Sequence, residues 1–255
     1  MGSKLKNMKK IIIASLVLTS ALLTSCDEKD TANVSKITNY PIITVSGDDP
    51  YFVPQGTTYV DPGAVAMEGS NEIDVTTTAA GKYRGGTTLD TNITDEYLVT
   101  YTATNADGFD GTANRKVIVY KTGDLVTSIE GVYTCTISRN GVTPSAAYQN
   151  IKYIYIWKNT DGTYQISDAF GGWYEYGRAL GIGYITPGGK IAGDIPSNTF
   201  TFPGGPLTNV GFGGTANITD VQVNPVTKKI VLTCAWLAPP ATSYTFVATL
   251  TQVQL

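Results

Sequence analysis

Apolar and polar residues alternate along most of this chain, and the alternation has a period of two. Ile42-Ile43-Thr44-Val45 is a short apolar run closed by the turn cluster Gly47-Asp48-Asp49-Pro50. Residues 97–103 alternate cleanly, which predicts a strand with Tyr97, Val99, Tyr101 and Ala103 on one face. Asn105-Ala106-Asp107-Gly108 reads as a turn, and residues 115–120 as a closing strand with Val117 and Val119 together. No stretch of this front half holds a helical period. Short strands at such spacing predict a β-sandwich.

The second half continues in the same idiom. Tyr133, Cys135 and Ile137 share a face, as do Ile151, Tyr153, Tyr155 and Trp157 in the next predicted strand. Asn159-Thr160-Asp161-Gly162 signals a hairpin leading into residues 163–168. Near the end, Ile230, Leu232, Cys234 and Trp236 line one strand and Tyr244, Phe246, Ala248 and Leu250 the last. Between them, residues 171–214 hold 13 glycines in 44 positions, which permits the bends a curved sheet needs. About eight strands of this kind suit a small barrel, with a second sandwich as the alternative.

The first 25 residues follow a different pattern. Lys4, Lys6, Lys9 and Lys10 precede a 13-residue, mostly apolar run from 11 to 23. As a helix that run rises only about 20 Å, too short for a bilayer core of about 30 Å. It reads as a signal peptide. Leu23-Thr24-Ser25-Cys26 resembles the lipobox of bacterial lipoproteins. That resemblance implies cleavage before Cys26, a diacylglycerol on its thiol and a fatty acid such as palmitate on the new amine. Residues 26–38 then form a lipidated linker. Within it, Asp27-Glu28-Lys29-Asp30 resembles a surface-export signal of gut Gram-negative lipoproteins, with a solvated linker as the plain alternative.

Charge divides the rest. Residues 26–124 carry 7 basic and 15 acidic side chains, net −8, while residues 125–255 carry 7 and 6, net +1. The shift places a boundary near Lys121 to Asp124, so the expected plan is one unit over 39–121, a linker over 122–127 and a second unit over 128–255. The sequence pI of about 5.0 and the lack of a basic patch argue against nucleic acid. The chain has no histidine, which removes imidazole from any triad or metal site. Asp48, Asp49, Asp61 and Asp74 lack calcium-loop spacing and read as turn residues, so neither metal nor cofactor is expected.

Three segments carry a further resemblance. Residues 59–64 (Tyr-Val-Asp-Pro-Gly-Ala), residues 101–108 and Val117-Ile118-Val119 resemble the bacterial Ig-like, HYR-like domain. Tyr164 to Asp168, Gly171-Gly172-Trp173-Tyr174, Tyr176-Gly177-Arg178 and the final strand resemble the C-terminal domain of lipoproteins of unknown function with a calycin/lipocalin-like β-barrel. Together they imply an all-β, outer-membrane lipoprotein facing the cell exterior, of the kind that accompanies starch-utilisation-type importers. The implied partners are a TonB-dependent importer, its lid lipoprotein, and a glycan or peptide ligand.

Candidate chemistry is sparse. A glycosidase needs two carboxyls about 5 Å apart if it is retaining. Asp168, Glu175, Asp194 and Asp220 offer no defensible pair, so no enzyme activity is expected. Cys135 and Cys234 sit on apolar faces and read as buried thiols or a disulfide, the choice resting on strand adjacency. Aromatic rings stack on sugar faces and arginine forks to carboxylates. Trp173, Tyr174, Tyr176 and Arg178, in a glycine-rich stretch, are therefore the candidate ligand site, with core filling as the alternative.

Overall fold

The computed structural model describes residues 38–142 and 145–255; Cys26, the leader and most of the lipidated linker lie outside them. The front unit contains β1 (Ile42–Val45), β2 (Tyr51–Pro54), β3 (Ala64–Glu68), β4 (Asn71–Ile73), β5 (Thr76–Gly81), β6 (Asp95–Thr104) and β7 (Asp110–Tyr120). Two sheets, in the orders β1-β3-β4 and β2-β7-β6-β5, form an Ig-like sandwich, with β2 parallel to β7 and the other pairs antiparallel. Tyr97, Val99, Tyr101 and Ala103 all face the core, as their alternation predicts, and Val53, Val117 and Val119 meet them there.

Asp61, in the first of the segments resembling an Ig-like domain, fastens that core. Its Oδ1 accepts from the Tyr101 hydroxyl at 2.6 Å, the Gly63 amide at 3.0 Å and Nη1 of the fully buried Arg115 at 2.5 Å. One carboxylate thus ties the loop before β3 to β6 and β7. These donors hold the Asp61 carboxyl below its ordinary pKa despite the opposing effect of burial.

The second unit is a single curled sheet. It contains β8 (Gly131–Arg139), β9 (Ile151–Lys158), β10 (Tyr164–Ile166), β11 (Lys190–Asp194), β12 (Thr199–Thr201), β13 (Leu207–Asn209), β14 (Gly213–Asn224), β15 (Lys229–Ala238) and β16 (Thr242–Gln252). The order β12-β11-β10-β9-β8-β16-β15-β14-β13 begins and ends on three-residue strands that are not hydrogen-bonded to each other. The result is a half-barrel rather than a closed one. Phe170, Trp173 and Tyr174, from the stretch between β10 and β11, pack into its core with Ile154, Ile230, Leu232 and Phe246.

β9 departs from the expected single face. The register against β8 shifts at Tyr153, which becomes an extra residue. Ile151 therefore joins Ile154 and Ile156 in the half-barrel core, while Tyr153, Tyr155 and Trp157 point at the Ig-like unit. There they meet Phe52, Tyr83, Ile118 and Tyr120. That contact explains why Ile118, on the outer face of β7, is as buried as its neighbours.

The connection between the units is packed as well. Leu125 and Ile129 are fully buried in the half-barrel core, and the Gln252 side chain donates to the Gly123 carbonyl at 2.9 Å. The segment expected as a linker over 122–127 is thus no loose tether. Leu125→Ala is expected to cost about 2–5 kcal/mol, the range for a buried leucine. Chemical denaturation of the purified chain measures it, and a loss under about 1 kcal/mol contradicts this packing.

Candidate functional site

The site is built on one carboxylate. Asp168 follows β10 and is fully buried. Its Oδ1 accepts from the amides of Phe170 at 3.0 Å and Thr186 at 2.9 Å, and its Oδ2 from the Gly172 amide at 2.9 Å. The two ends of an excursion, 18 positions apart in the chain, are thereby held together. At its start, Gly171 and Gly172 take φ of +60° and +83°. A Cβ on Gly171 would stand 2.8 Å from that of Ala248, and one on Gly172 2.9 Å from Ile151, so both positions need glycine for conformation and for space.

A single π-helical turn, Trp173–Gly177, follows and sends successive side chains in different directions. Trp173 stacks on Tyr148 with centroids 4.0 Å apart and meets Phe246 edge-on. Tyr174 is buried among Phe170, Phe212, Trp236 and Phe246. Glu175 and Tyr176 turn toward the Ig-like unit. Arg178 is exposed. The four residues expected to form one ligand shelf are therefore divided: Trp173 and Tyr174 fill core, Tyr176 serves the contact between units, and only Arg178 faces water.

The contact made by Glu175 and Tyr176 is a buried polar cluster. Lys82 Nζ lies 2.8 Å from Glu175, 3.0 Å from Glu96 and 2.9 Å from the Tyr176 hydroxyl. The Tyr83 hydroxyl donates to Glu175 at 3.0 Å, and the Tyr155 hydroxyl to Glu96 at 2.7 Å. Burial works against the Lys82 charge, but Tyr176 and the two carboxylates outweigh it and lift its pKa above the ordinary lysine range. Glu96 and Glu175 share this lysine, yet their oxygens are all engaged and both side chains are sealed in. Asp168 is likewise engaged, while Asp194 and Asp220 stand exposed on separate strands.

The disulfide alternative fails on register. Cys135 on β8 pairs with Leu250 and Cys234 on β15 pairs with Phe246, with β16 between them. Two strand spacings of about 4.8 Å and a four-residue offset along β16 put their Cα atoms far beyond the 7 Å limit for bridging. Both are free, buried thiols, and burial pushes the Cys234 pKa up to about 12.

What does reach solvent is a belt across the rim of the half-barrel. The Arg139 guanidinium lies over the rings of Trp173 and Tyr244, 4.8 Å from each centroid. Tyr148 covers the Trp173 ring, and Tyr244 stacks on Trp236 at 5.6 Å. Phe212, 43% exposed, meets Tyr174 and Tyr184 at 4.9 Å. Burial raises the pKa of the Tyr174 hydroxyl, while the adjacent Arg139 and the charge of Arg178 oppose that rise. A shallow groove of about 780 Å³ lies elsewhere, lined by Gln55, Asn92, Tyr120 and Thr122 among others.

Sequence reasoning missed Arg139, Tyr148, Tyr244 and Phe212. Arg139 carried a signal: it continues the inward series Tyr133, Cys135, Ile137 as a charge on an apolar face. Such a residue belongs at the end of a sheet, where an aromatic rim can receive it.

Fold and belt together define an all-β protein of two fused units, Ig-like and then half-barrel. A family model described as a bacterial surface protein Ig-like domain matches residues 43–119. A model for a BT2262-like C-terminal domain matches residues 122–252, just over half of the chain, and the chain belongs to that family. The solved structure of the lipoprotein BT2262 from Bacteroides thetaiotaomicron is similar, with a TM-score of 0.62 and 24% identity over 84% of this chain and 100% of that one. No curated protein matches the chain.

Asp168 gives this site a pH signature. Burial pushes its carboxyl up to about 7, against the three amide donors. Below about pH 4 the group is protonated whether the chain is folded or not. Between there and about pH 7 only the unfolded chain ionises it, so its contribution to stability falls as pH rises and then levels off. Asp168→Asn stays neutral throughout. From pH 4 to 7 the wild type is expected to lose more thermal stability than this variant; parallel Tm curves would refute the shift.

Proposed function

We propose that this is a lipid-anchored, non-enzymatic surface protein of a Gram-negative bacterium that captures a glycan for a neighbouring outer-membrane importer. The belt of Tyr148, Arg139, Tyr244 and Phe212 carries this reading. It offers flat rings and cationic donors at the surface, the combination that holds sugar faces and their substituents. The leader and Cys26 support the anchor, and kinship with a surface-protein Ig-like domain supports the address. A TonB-dependent importer and its lid lipoprotein are the partners this assignment requires.

Affinity gel electrophoresis of the purified chain against a panel of polysaccharides tests the capture. Tyr148→Ala with Tyr244→Ala is expected to weaken retardation about tenfold, roughly 1.4 kcal/mol for two lost stacking faces. Retardation that is absent, or unchanged in the double variant with its fold intact by circular dichroism, rejects the belt as the site.

One observation favours a second reading, a subunit that only docks on the importer. Leu180, Ile182 and Val210 stand 40%, 42% and 59% exposed on adjoining loops beside Phe212. Exposed apolar patches of this kind mark protein contacts. If docking is the role, Val210→Asp is expected to abolish co-purification of the importer from detergent-solubilised membranes while leaving glycan retardation unchanged. Co-purification that survives the change counts against this second reading.

A further inference from the structure

Arg139 of the belt, together with the exposed Arg178, narrows the ligand, on the premise that the belt binds sugars. Arg139 lies over the Trp173 and Tyr244 rings, 4.8 Å from each centroid. Stacking of this kind covers the faces of the guanidinium and leaves its in-plane N–H groups as donors, one of them bonded to the Tyr174 hydroxyl and the rest available. Arg178 is exposed a few residues beyond Tyr174, and the charges of both arginines bear on the Tyr174 hydroxyl. Neither makes an ion pair among the described residues. The nearby carboxylate in sequence, Glu175, turns toward the Ig-like unit and is taken by Lys82 and Tyr83. Two cationic forks are thus present, Arg139 against aromatic faces and Arg178 in solvent, with no ion pair to either among the described residues.

A neutral sugar would use the rings and leave those forks unanswered. A carboxylate or sulfate on a pyranose ring would answer them with paired N–H to oxygen bonds while the ring stacks on Tyr148 or Tyr244. We infer that the belt selects acidic polysaccharides, those bearing carboxylate or sulfate groups on the sugar, over neutral ones. The selection is local. The chain as a whole carries net charge −3, and its front half −8, so the overall field repels polyanions.

The test uses affinity electrophoresis of the intact chain in gels containing polygalacturonate, alginate or chondroitin sulfate, and in parallel gels containing fully methyl-esterified polygalacturonate. The acidic form of at least one polymer is expected to retard the protein, and the ester at least tenfold less than polygalacturonate if that polymer is bound. Arg178→Gln, at an exposed position, is expected to weaken acidic binding about fivefold, and Arg139→Gln about tenfold, with Tm confirming that each folds. Equal binding of ester and acid, lost in Tyr244→Ala, leaves the belt a sugar site and overturns the acidic selection. Acidic binding untouched by Tyr244→Ala and by both arginine changes overturns the belt itself. Failure to bind any of the three acidic polymers overturns the selection, as does displacement by poly-glutamate as effective as by the polysaccharide, which would mark an acidic-peptide site.

Discussion

Asp168 is the constraint on which the second unit depends. A carboxylate with no exposure to water is costly unless its oxygens are satisfied. Here three backbone amides satisfy them, and two of those amides stand 16 positions apart in the chain. The same bonds that make the buried group tolerable close the excursion between β10 and β11. With its ends fixed, the excursion can run through Gly171 and Gly172 into a π-helical turn, a geometry that is rare and recurrent at functional places. That turn then distributes its side chains: two into the half-barrel core, two toward the Ig-like unit, and Arg178 into solvent.

The cluster around Lys82 depends on that turn and extends its effect across the molecule. Glu175 and Tyr176 reach Lys82 and Tyr83 only because the turn points them outward from the sheet. Around the charges, Tyr155, Trp157, Ile118 and Phe52 form a dry contact. A half-buried lysine between two glutamates often adds less to stability than apolar side chains of the same size. With the buried connection at Leu125, it makes the Ig-like unit a fixed mount for the half-barrel and not a flexible spacer. The belt consequently has a set orientation relative to the front unit, whose first strand begins 16 positions after Cys26.

The pattern of the strands was legible and the site was not, for a physical reason. Tyr97 to Ala103 and Ile230 to Trp236 each have one wet and one dry face, so alternation reveals both strand and orientation. β9 has two dry faces, one on the half-barrel core and one on the Ig-like unit. Its sequence, apolar on both, hides the extra residue at Tyr153 that moves Ile151 away from its supposed companions. The glycine-rich stretch was visible as unusual, but its backbone is set by Asp168, a long-range contact that no local period reports. Trp173, Tyr174 and Tyr176 looked like a surface cluster because glycine and aromatic residues together are read as exposed loops. Trp173 and Tyr174 instead fill the opening a half-barrel leaves, and Tyr176 turns to Lys82 and Tyr83 of the Ig-like unit.

Filling that opening decides what kind of site the molecule can offer. A closed, empty barrel presents an internal cavity, with a small ligand enclosed on all sides. Here Phe170, Trp173 and Tyr174 occupy the interior, Phe170 stacked on Phe246, Trp173 edge-on to Phe246 and Tyr174 edge-on to Trp236. Under the proposed reading ligand contact moves to the rim, where Tyr148 covers the Trp173 ring and the Arg139 guanidinium lies over Trp173 and Tyr244. A rim has no end walls, so it favours a ligand longer than itself, laid across it, over a small molecule that needs enclosure. The buried carboxylates are committed to amides, a lysine and tyrosine hydroxyls, which leaves the rim with rings and guanidinium groups. On the proposed reading, such a surface would hold a polymer through ring stacking and paired N–H to oxygen bonds.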